Sequence, residues 1–309
     1  MNNGPERVAV IRGGQSAERE ISLKSGSAVE EALQEAPCQV KTYDTDPSLG
    51  ERLRSAGIDV AFLTLHGRGG EDGVIQGMLE WNGIPYTGPG VEASSTCMDK
   101  FRCKQIFRSE DWRSPRWFSI RQEDEIAPRM NFDRYVVKPR FEGSSLGISI
   151  VTEKGFERAV NQARDFDRDI LVEEYVDGYE VTVGIVKLDS VRIFRPIGIR
   201  PQHEFFDFDT KYTKGLTEYD VPAELDHKTE QEVKRFAGEV ARNLETEALC
   251  RVDFLVSEGV PFLLEINTIP GLTETSLLPK AAREADLSFP DLIWNLTKSA
   301  TEVNRWHAA

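Results

Sequence analysis

The residues from Arg251 to Gly271, RVDFLVSEGVPFLLEINTIPG, restrict this chain more than any other stretch. Val252, Phe254 and Val256 alternate with Arg251, Asp253 and Leu255, a turn follows at Glu258-Gly259, and an apolar return strand begins near Pro261. The pattern predicts a β-hairpin. Strand side chains repeat every second residue, so Glu265 and Asn267 point to one face. A three-residue loop sets Ser257 opposite Pro261 and Asp253 opposite Glu265. A two-residue loop sends Asp253 to the other face, so the reading commits to three.

That register brings Asp253, Glu265 and the amide oxygen of Asn267 together, with Arg251 beside them. Carboxylates this close repel, and without a cation one of them takes up a proton. A hard divalent ion with oxygen ligands removes the conflict. Mg2+ or Mn2+ fits, because no thiol or imidazole is present to favour zinc. The plainer alternative is a surface hairpin with solvated acids. It is weakened by the apolar strands that the carboxylates interrupt.

A chain of 309 residues holds two or three small domains. Its net charge of −14 argues against a nucleic-acid partner, since binding by counterion release needs a basic surface. A locally basic pocket for an anionic substrate remains compatible with that charge. Cys38, Cys97, Cys103 and Cys250 show no C-x-x-C spacing and read as reduced thiols. No basic stretch followed by an apolar core opens the chain, and no apolar run reaches a membrane span. These features point to the cytoplasm, with no membrane partner.

From the start, Val8–Ile11 reads as a strand, followed by the turn RGGQSAERE and a helix with apolar residues at Ile21, Ala28, Val29 and Leu33. Glu18 then sits at the strand's carboxyl end, where open α/β sheets place ligands. By itself it reads as a helix-start acid favoured by the macrodipole ahead of a ligand contact. A strand at Val60–Leu65 runs into the glycine-rich HGRGGEDG and a helix over Val74–Trp81. His66 by itself reads as a cap. Ile84–Gly90 is a proline- and glycine-rich break.

Ser94–Phe107 reads as one helix containing Met98-Asp99-Lys100. The strand Tyr135–Pro139 carries Lys138 and leads into RFEGSSLG, whose backbone N–H groups and hydroxyls suit a phosphate. Ile170–Val176 and Tyr179–Val186 read as a hairpin turned at Asp177-Gly178, able to offer an adenine edge and a ribose carboxylate. Pro201–Tyr219 reads as a lid or substrate loop. Glu230–Glu247 is an amphipathic helix, and a final helix follows Pro279.

Six motifs then stand in order: GGQSAERE (13–20), LHGRGGEDG (65–73), MDK (98–100), VKPRFEGSSLG (137–147), RVDF (251–254) and LEINTIPGLT (264–273). Together they resemble the D-alanine–D-alanine ligases of the ATP-grasp superfamily, over nearly the whole chain. The resemblance implies an α/β fold, α+β in its later parts. It has an N-terminal open α/β domain (1–90), a central subdomain with the phosphate loop (91–172) and a C-terminal subdomain with metal site and lid (173–309). Nucleotide lies between the last two.

The implied reaction phosphorylates the carboxylate of one D-alanine with ATP. The amine of a second then attacks, giving D-alanyl-D-alanine for peptidoglycan precursors. A D-alanine–D-lactate ligase and a silent nucleotide-binding relative are the alternatives; Tyr212 in the lid favours an amine nucleophile. The resemblance gives Asp253, Glu265 and Asn267 to two Mg2+ or Mn2+ ions. It gives Lys100, Lys138, Lys211 and the loop Glu142, Gly143, Ser144, Ser145 to the phosphates, and Glu173, Tyr175, Val176 and Glu180 to adenosine. Glu18, oriented with Ser144 and Tyr212, would take the first ammonium, with His66 nearby. Arg251 and the Gly271 N–H would hold the oxyanion, and Ser276 with the Leu277 N–H the second carboxylate. A homodimer is expected.

Overall fold

The computed structural model describes residues 4–124, 130–143, 146–201 and 217–302. The first unit alternates β1 (Arg7–Arg12), α1 (Arg19–Leu33), β2 (Gln39–Asp44), α2 (Leu49–Ser55), β3 (Val60–Leu63) and α3 (Val74–Trp81). Its sheet has the order β2-β1-β3, all parallel. Val8, Ala9, Val10 and Ile11 are fully buried, as expected for a central parallel strand covered on both faces.

Two helices, α4 (Val91–Met98) and α5 (Lys100–Ser109), follow. The sequence reads as one helix here, but Asp99 breaks it with extended backbone (φ −87°, ψ 98°). Its carboxylate accepts from the N–H groups of Phe101 and Arg102, restarting the helix as an N-cap.

A four-stranded antiparallel sheet, β4-β7-β5-β6, contains β4 (Trp117–Ile120), β5 (Tyr135–Pro139), β6 (Ser149–Val151) and β7 (Ile170–Glu174). The helix α6 (Phe156–Arg164) covers it through Phe156, which packs 4.8 Å from the ring of Tyr135. A third sheet runs β11-β10-β8-β12-β13, with β9 also on β8. Its strands are β8 (Tyr179–Lys187), β9 (Val191–Ile193), β10 (Ile197–Pro201), β11 (Thr217–Asp220), β12 (Leu249–Ser257) and β13 (Val260–Asn267). The helix α7 (His227–Asn243), capped by Asp226, buries Val233, Phe236, Ala237 and Val240 against this sheet.

Three expectations are corrected. β7 and β8 do not form a hairpin: β7 pairs with β4 and β5, whereas β8 pairs with β12, β10 and β9, so the chain crosses between sheets at Tyr175–Gly178. The β12–β13 loop has two residues, not three, because Ser257 faces Val260 and both Glu258 and Gly259 have positive φ. The chain ends in two helices, α8 (Leu277–Glu284) and α9 (Phe289–Glu302), separated by a residue with positive φ at Asp286. In the proposed lid, Thr217–Tyr219 belongs to β11, and residues 202–216 lie outside the described residues.

The helix α9 returns to the first unit. Leu292, Ile293 and Leu296 share one core with Val8, Val10, Val29 and Leu33. No described helix is long and apolar enough to cross a membrane. Leu292→Ala empties a fully buried site in that shared core, at a cost of about 2–5 kcal/mol. The lowest thermal transition should fall, and amide exchange should quicken in β1 as well as α9. Faster exchange confined to α9 would mean that this core does not couple them.

Candidate active site

The two-residue loop should have turned Asp253 away from Glu265. A β-bulge corrects the register: Phe254 faces Leu263, Asp253 faces Glu265, and Leu264 is the extra residue. Beyond it Arg251 faces Asn267, so Arg251, Asp253, Glu265 and Asn267 share one face after all. The face continues across β8, where Thr182 lies beside Asp253 and donates to its Oδ1. The Arg251 guanidinium grips the Asp253 carboxylate with two bonds, Nε to Oδ1 at 2.9 Å and the terminal nitrogen to Oδ2 at 2.8 Å. Both side chains are buried.

Above this face lies a cleft of about 1140 Å3. All three sheets reach it: Glu18 and His66 come from the first unit, Lys138 and Glu173 from the second sheet, Arg251, Glu265 and Asn267 from the third. In its wall Glu173 is 1% exposed and ion-paired to Lys104 and Lys138, each at 2.5 Å. Burial alone would raise the Glu173 carboxyl, but the two ammonium groups outweigh it and hold it near 2. Burial pulls Lys104 downward, while Glu173, Glu265 and Glu180 together raise Lys138 in spite of its burial.

Lys100 opens α5, and its Nζ donates to the Glu142 carbonyl at 2.5 Å. Asp99 fixes that direction, since it caps the helix and also takes a two-pronged bond from Arg140 at 2.8 and 2.6 Å. Gly143 lies against Glu18: a Cβ there would stand 3.1 Å from Glu18 Oε2. On the other side Gly67, at φ +67°, is equally tight against the same oxygen.

Ser16 Oγ donates to the His66 carbonyl at 2.7 Å, locking the two glycine-rich turns together. His66 is buried, and burial pushes its imidazole down to about 4, so the ring is neutral. Its Nε2 faces no partner among the described residues. Glu71 accepts from Gly67 N–H at 2.7 Å and from Ile269 N–H at 3.2 Å, tying the 66–73 turn to the 268–273 loop. Burial, and then the neighbouring Glu18, raise its carboxyl to about 8. Across the cleft Ser276 is the N-cap residue of α8, its Oγ taken by Thr273.

The motifs now have a geometry to be compared. The sequence model described as "D-ala D-ala ligase C-terminus" matches residues 105–298, and that described as "D-ala D-ala ligase N-terminus" matches residues 45–89. A D-alanine–D-alanine ligase of Geotalea uraniireducens (strain Rf4) is 42% identical over 299 residues, covering 96% of either chain. The chain belongs to the D-alanine–D-alanine ligase family. A second member, from Stutzerimonas stutzeri (strain A1501), is 41% identical, covering 96% of this chain and 95% of that one. The crystal structure of a D-alanine–D-alanine ligase from Bacillus anthracis superimposes with a TM-score of 0.84 at 31% identity, over 97% of this chain and 99% of that one. Its complex with ATP gives 0.83 at 29% identity with the same coverage. The ATP-grasp fold follows.

Of the residues that the D-alanine–D-alanine ligase resemblance names, Glu18, His66, Lys100, Lys138, Glu142, Gly143, Glu173, Arg251, Glu265, Asn267, Gly271, Ser276 and Leu277 line the one cleft. Asp253 sits behind Arg251 in the floor. Tyr175 and Val176 fall at the crossover from β7 to β8 and Glu180 in the first part of β8, all outside the lining, and Arg134 stacks 4.1 Å from the Tyr175 ring. Ser144, Ser145, Lys211 and Tyr212 lie outside the described residues. Glu265 and Asn267 line the cleft and fit a hard divalent cation, while the Asp253 carboxylate that would complete the set is engaged by Arg251 and Thr182. Their donors are all oxygen, and Asn267 Oδ1 is buried with no hydrogen-bond partner among the described residues.

Sequence reading missed Lys104 and Glu71. Lys104 stands one helical turn after Lys100, a spacing that places both on one face. Glu71 lies inside the LHGRGGEDG motif. Lys104→Met leaves Glu173 with a single cation, and breaking a buried pair in this way costs about 3–5 kcal/mol. Denaturant titration of the variant should show that loss; wild-type stability would mean the pair is solvated. For Glu71, the folded carboxyl keeps its proton up to about pH 8, against an ordinary value of 4.5. The folded state therefore binds more protons across that window, and stability falls as pH rises through it. Glu71→Gln removes this slope, so its unfolding temperature relative to wild type should improve from pH 5 to 8.

Proposed function

We propose that the chain joins two D-alanines into D-alanyl-D-alanine through a D-alanyl phosphate, with ATP converted to ADP as it phosphorylates the first carboxylate and phosphate leaving when the second amine attacks. The dipeptide supplies peptidoglycan precursors. The observation that carries this reading is the bulged hairpin, which sets Arg251, Asp253, Glu265 and Asn267 on one face beneath Lys100 and Lys138. Phosphoryl transfer asks for positioning and charge neutralisation rather than covalent help from the protein. Mg2+ or Mn2+ held by Asp253, Glu265 and Asn267 would neutralise the terminal phosphates.

Lys100 and Lys138 flank the transferred phosphate, and Glu142 and Gly143 begin the loop that covers it. Glu18, at the start of α1, receives the ammonium of the first D-alanine and leaves its carboxylate facing the phosphate. Arg251 and the Gly271 N–H stabilise the oxyanion that forms when the second amine attacks. One such donor is commonly worth about 3 kcal/mol of barrier. The neutral His66 imidazole lines the same cleft and brings no charge to it. Ser276 and the Leu277 N–H hold the second carboxylate at the start of α8.

Adenosine is assigned to Glu173, Tyr175, Val176 and Glu180, with Lys211 on the phosphates and Ser144 and Tyr212 on the first D-alanine. The working form is a cytoplasmic homodimer, and the reducing compartment is supported by four free cysteines.

ADP formation measured over a panel of D- and L-amino acids tests the reading, with D-alanine alone expected to suffice and D-lactate to add nothing. Glu265→Gln should lower turnover by about 100-fold or more, as losses at metal sites commonly do. Turnover near wild type would place the metal elsewhere.

A further inference from the structure

Most cations around the cleft are already engaged. Lys104 and Lys138 pair with Glu173, Lys100 donates to the Glu142 carbonyl, and Arg251 grips Asp253. Lys280 is different. It lines the cleft from the first turn of α8, its own N–H donating to the Ser276 carbonyl at 3.0 Å. Its Nζ stands 3.9 Å from the centre of the Tyr219 ring on β11, and among the described residues it has no carboxylate partner. Burial, and then Arg283, lower its pKa, so the charge is held at a cost with no carboxylate opposite it among the described residues.

The surroundings sharpen the point. Glu18, Glu20 and Glu265 line the same cleft on a chain of net charge −14, so an entering carboxylate is repelled unless a cation meets it. Lys24, on α1, also lines the cleft. Lys280 alone of the two shares its helical turn with Ser276 and the Leu277 N–H, so its ammonium and the start of α8 can serve one anion.

We infer that Lys280 is the counter-charge for the carboxylate of the second amino acid, an assignment that rests on the ligase reading above. It selects an acceptor bearing a free carboxylate over an amide or ester of the same amino acid. Tyr219 holds the lysine stem and head in place while the site is empty.

The test uses the full-length enzyme with ATP, D-alanine and D-alaninamide together. D-alaninamide can accept but has no carboxylate to activate. Both products are quantified by mass spectrometry for wild type, Lys280→Met and Lys280→Arg. A charged hydrogen bond is worth a factor of about 10 to 100. Lys280→Met should therefore raise half-saturation by the acceptor D-alanine about tenfold or more, with kcat and the KM for ATP within about threefold. The product ratio should shift towards the amide by the same factor, and Lys280→Arg should restore it. An unchanged half-saturation in Lys280→Met, or an equal fall of both products, overturns the inference. Wild type making neither product overturns the ligase reading itself, and the role of Lys280 with it.

Discussion

The ladder between β12 and β13 has to satisfy two demands that conflict. A tight Glu258-Gly259 turn joins the strands with the right-handed twist of the sheet, yet in a regular register it would put Asp253 and Glu265 on opposite faces. Leu264 resolves the conflict by adding one residue to a single strand. The bulge comes between the turn and the polar face, so the apolar half of the hairpin packs on α7 while the polar half looks into the cleft. Every proposed role for Arg251, Asp253, Glu265 and Asn267 depends on that one inserted residue.

Charge balance then decides what the cleft can hold. On an acidic chain, three acids around the site are paired in advance: Asp253 with Arg251, Glu173 with two lysines, Asp99 with Arg140. Each pair is fixed by more than one bond or by burial, so the groups keep their direction without a ligand. Glu71 is handled differently, being kept protonated by burial and by Glu18. A neutral acid there still accepts the backbone N–H groups of Gly67 and Ile269, joining two loops from distant parts of the chain. Among the described residues the interior therefore presents free positive charge at few places.

The units are held in register by contacts far apart in sequence. The helix α9 completes the core of the first sheet, and α5 and Trp112 complete that of the third. Trp112 packs edge-on to Phe236, which in turn packs on Phe254, directly behind the site. Gly143 and Gly67 close on Glu18 from two sides, where any side chain larger than hydrogen would push the carboxylate away.

The sequence by itself determined the elements and the chemistry they carry. Strand alternation placed Glu265 and Asn267 together, α3 begins and ends where its pattern does, and six ordered motifs named the family. These signals are local, and period, turn chemistry and residue type are readable without a partner. Only the tertiary structure decided the rest. The bulge at Leu264, the break at Asp99, the crossing of β7 and β8 into different sheets and the pairing of Lys104 with Glu173 each depend on what lies opposite in space. Lys280 could not be distinguished from any surface lysine until α8 brought it to the cleft beside Tyr219. A side chain's charge is written in the sequence, but whether that charge has a partner is a property of the packing.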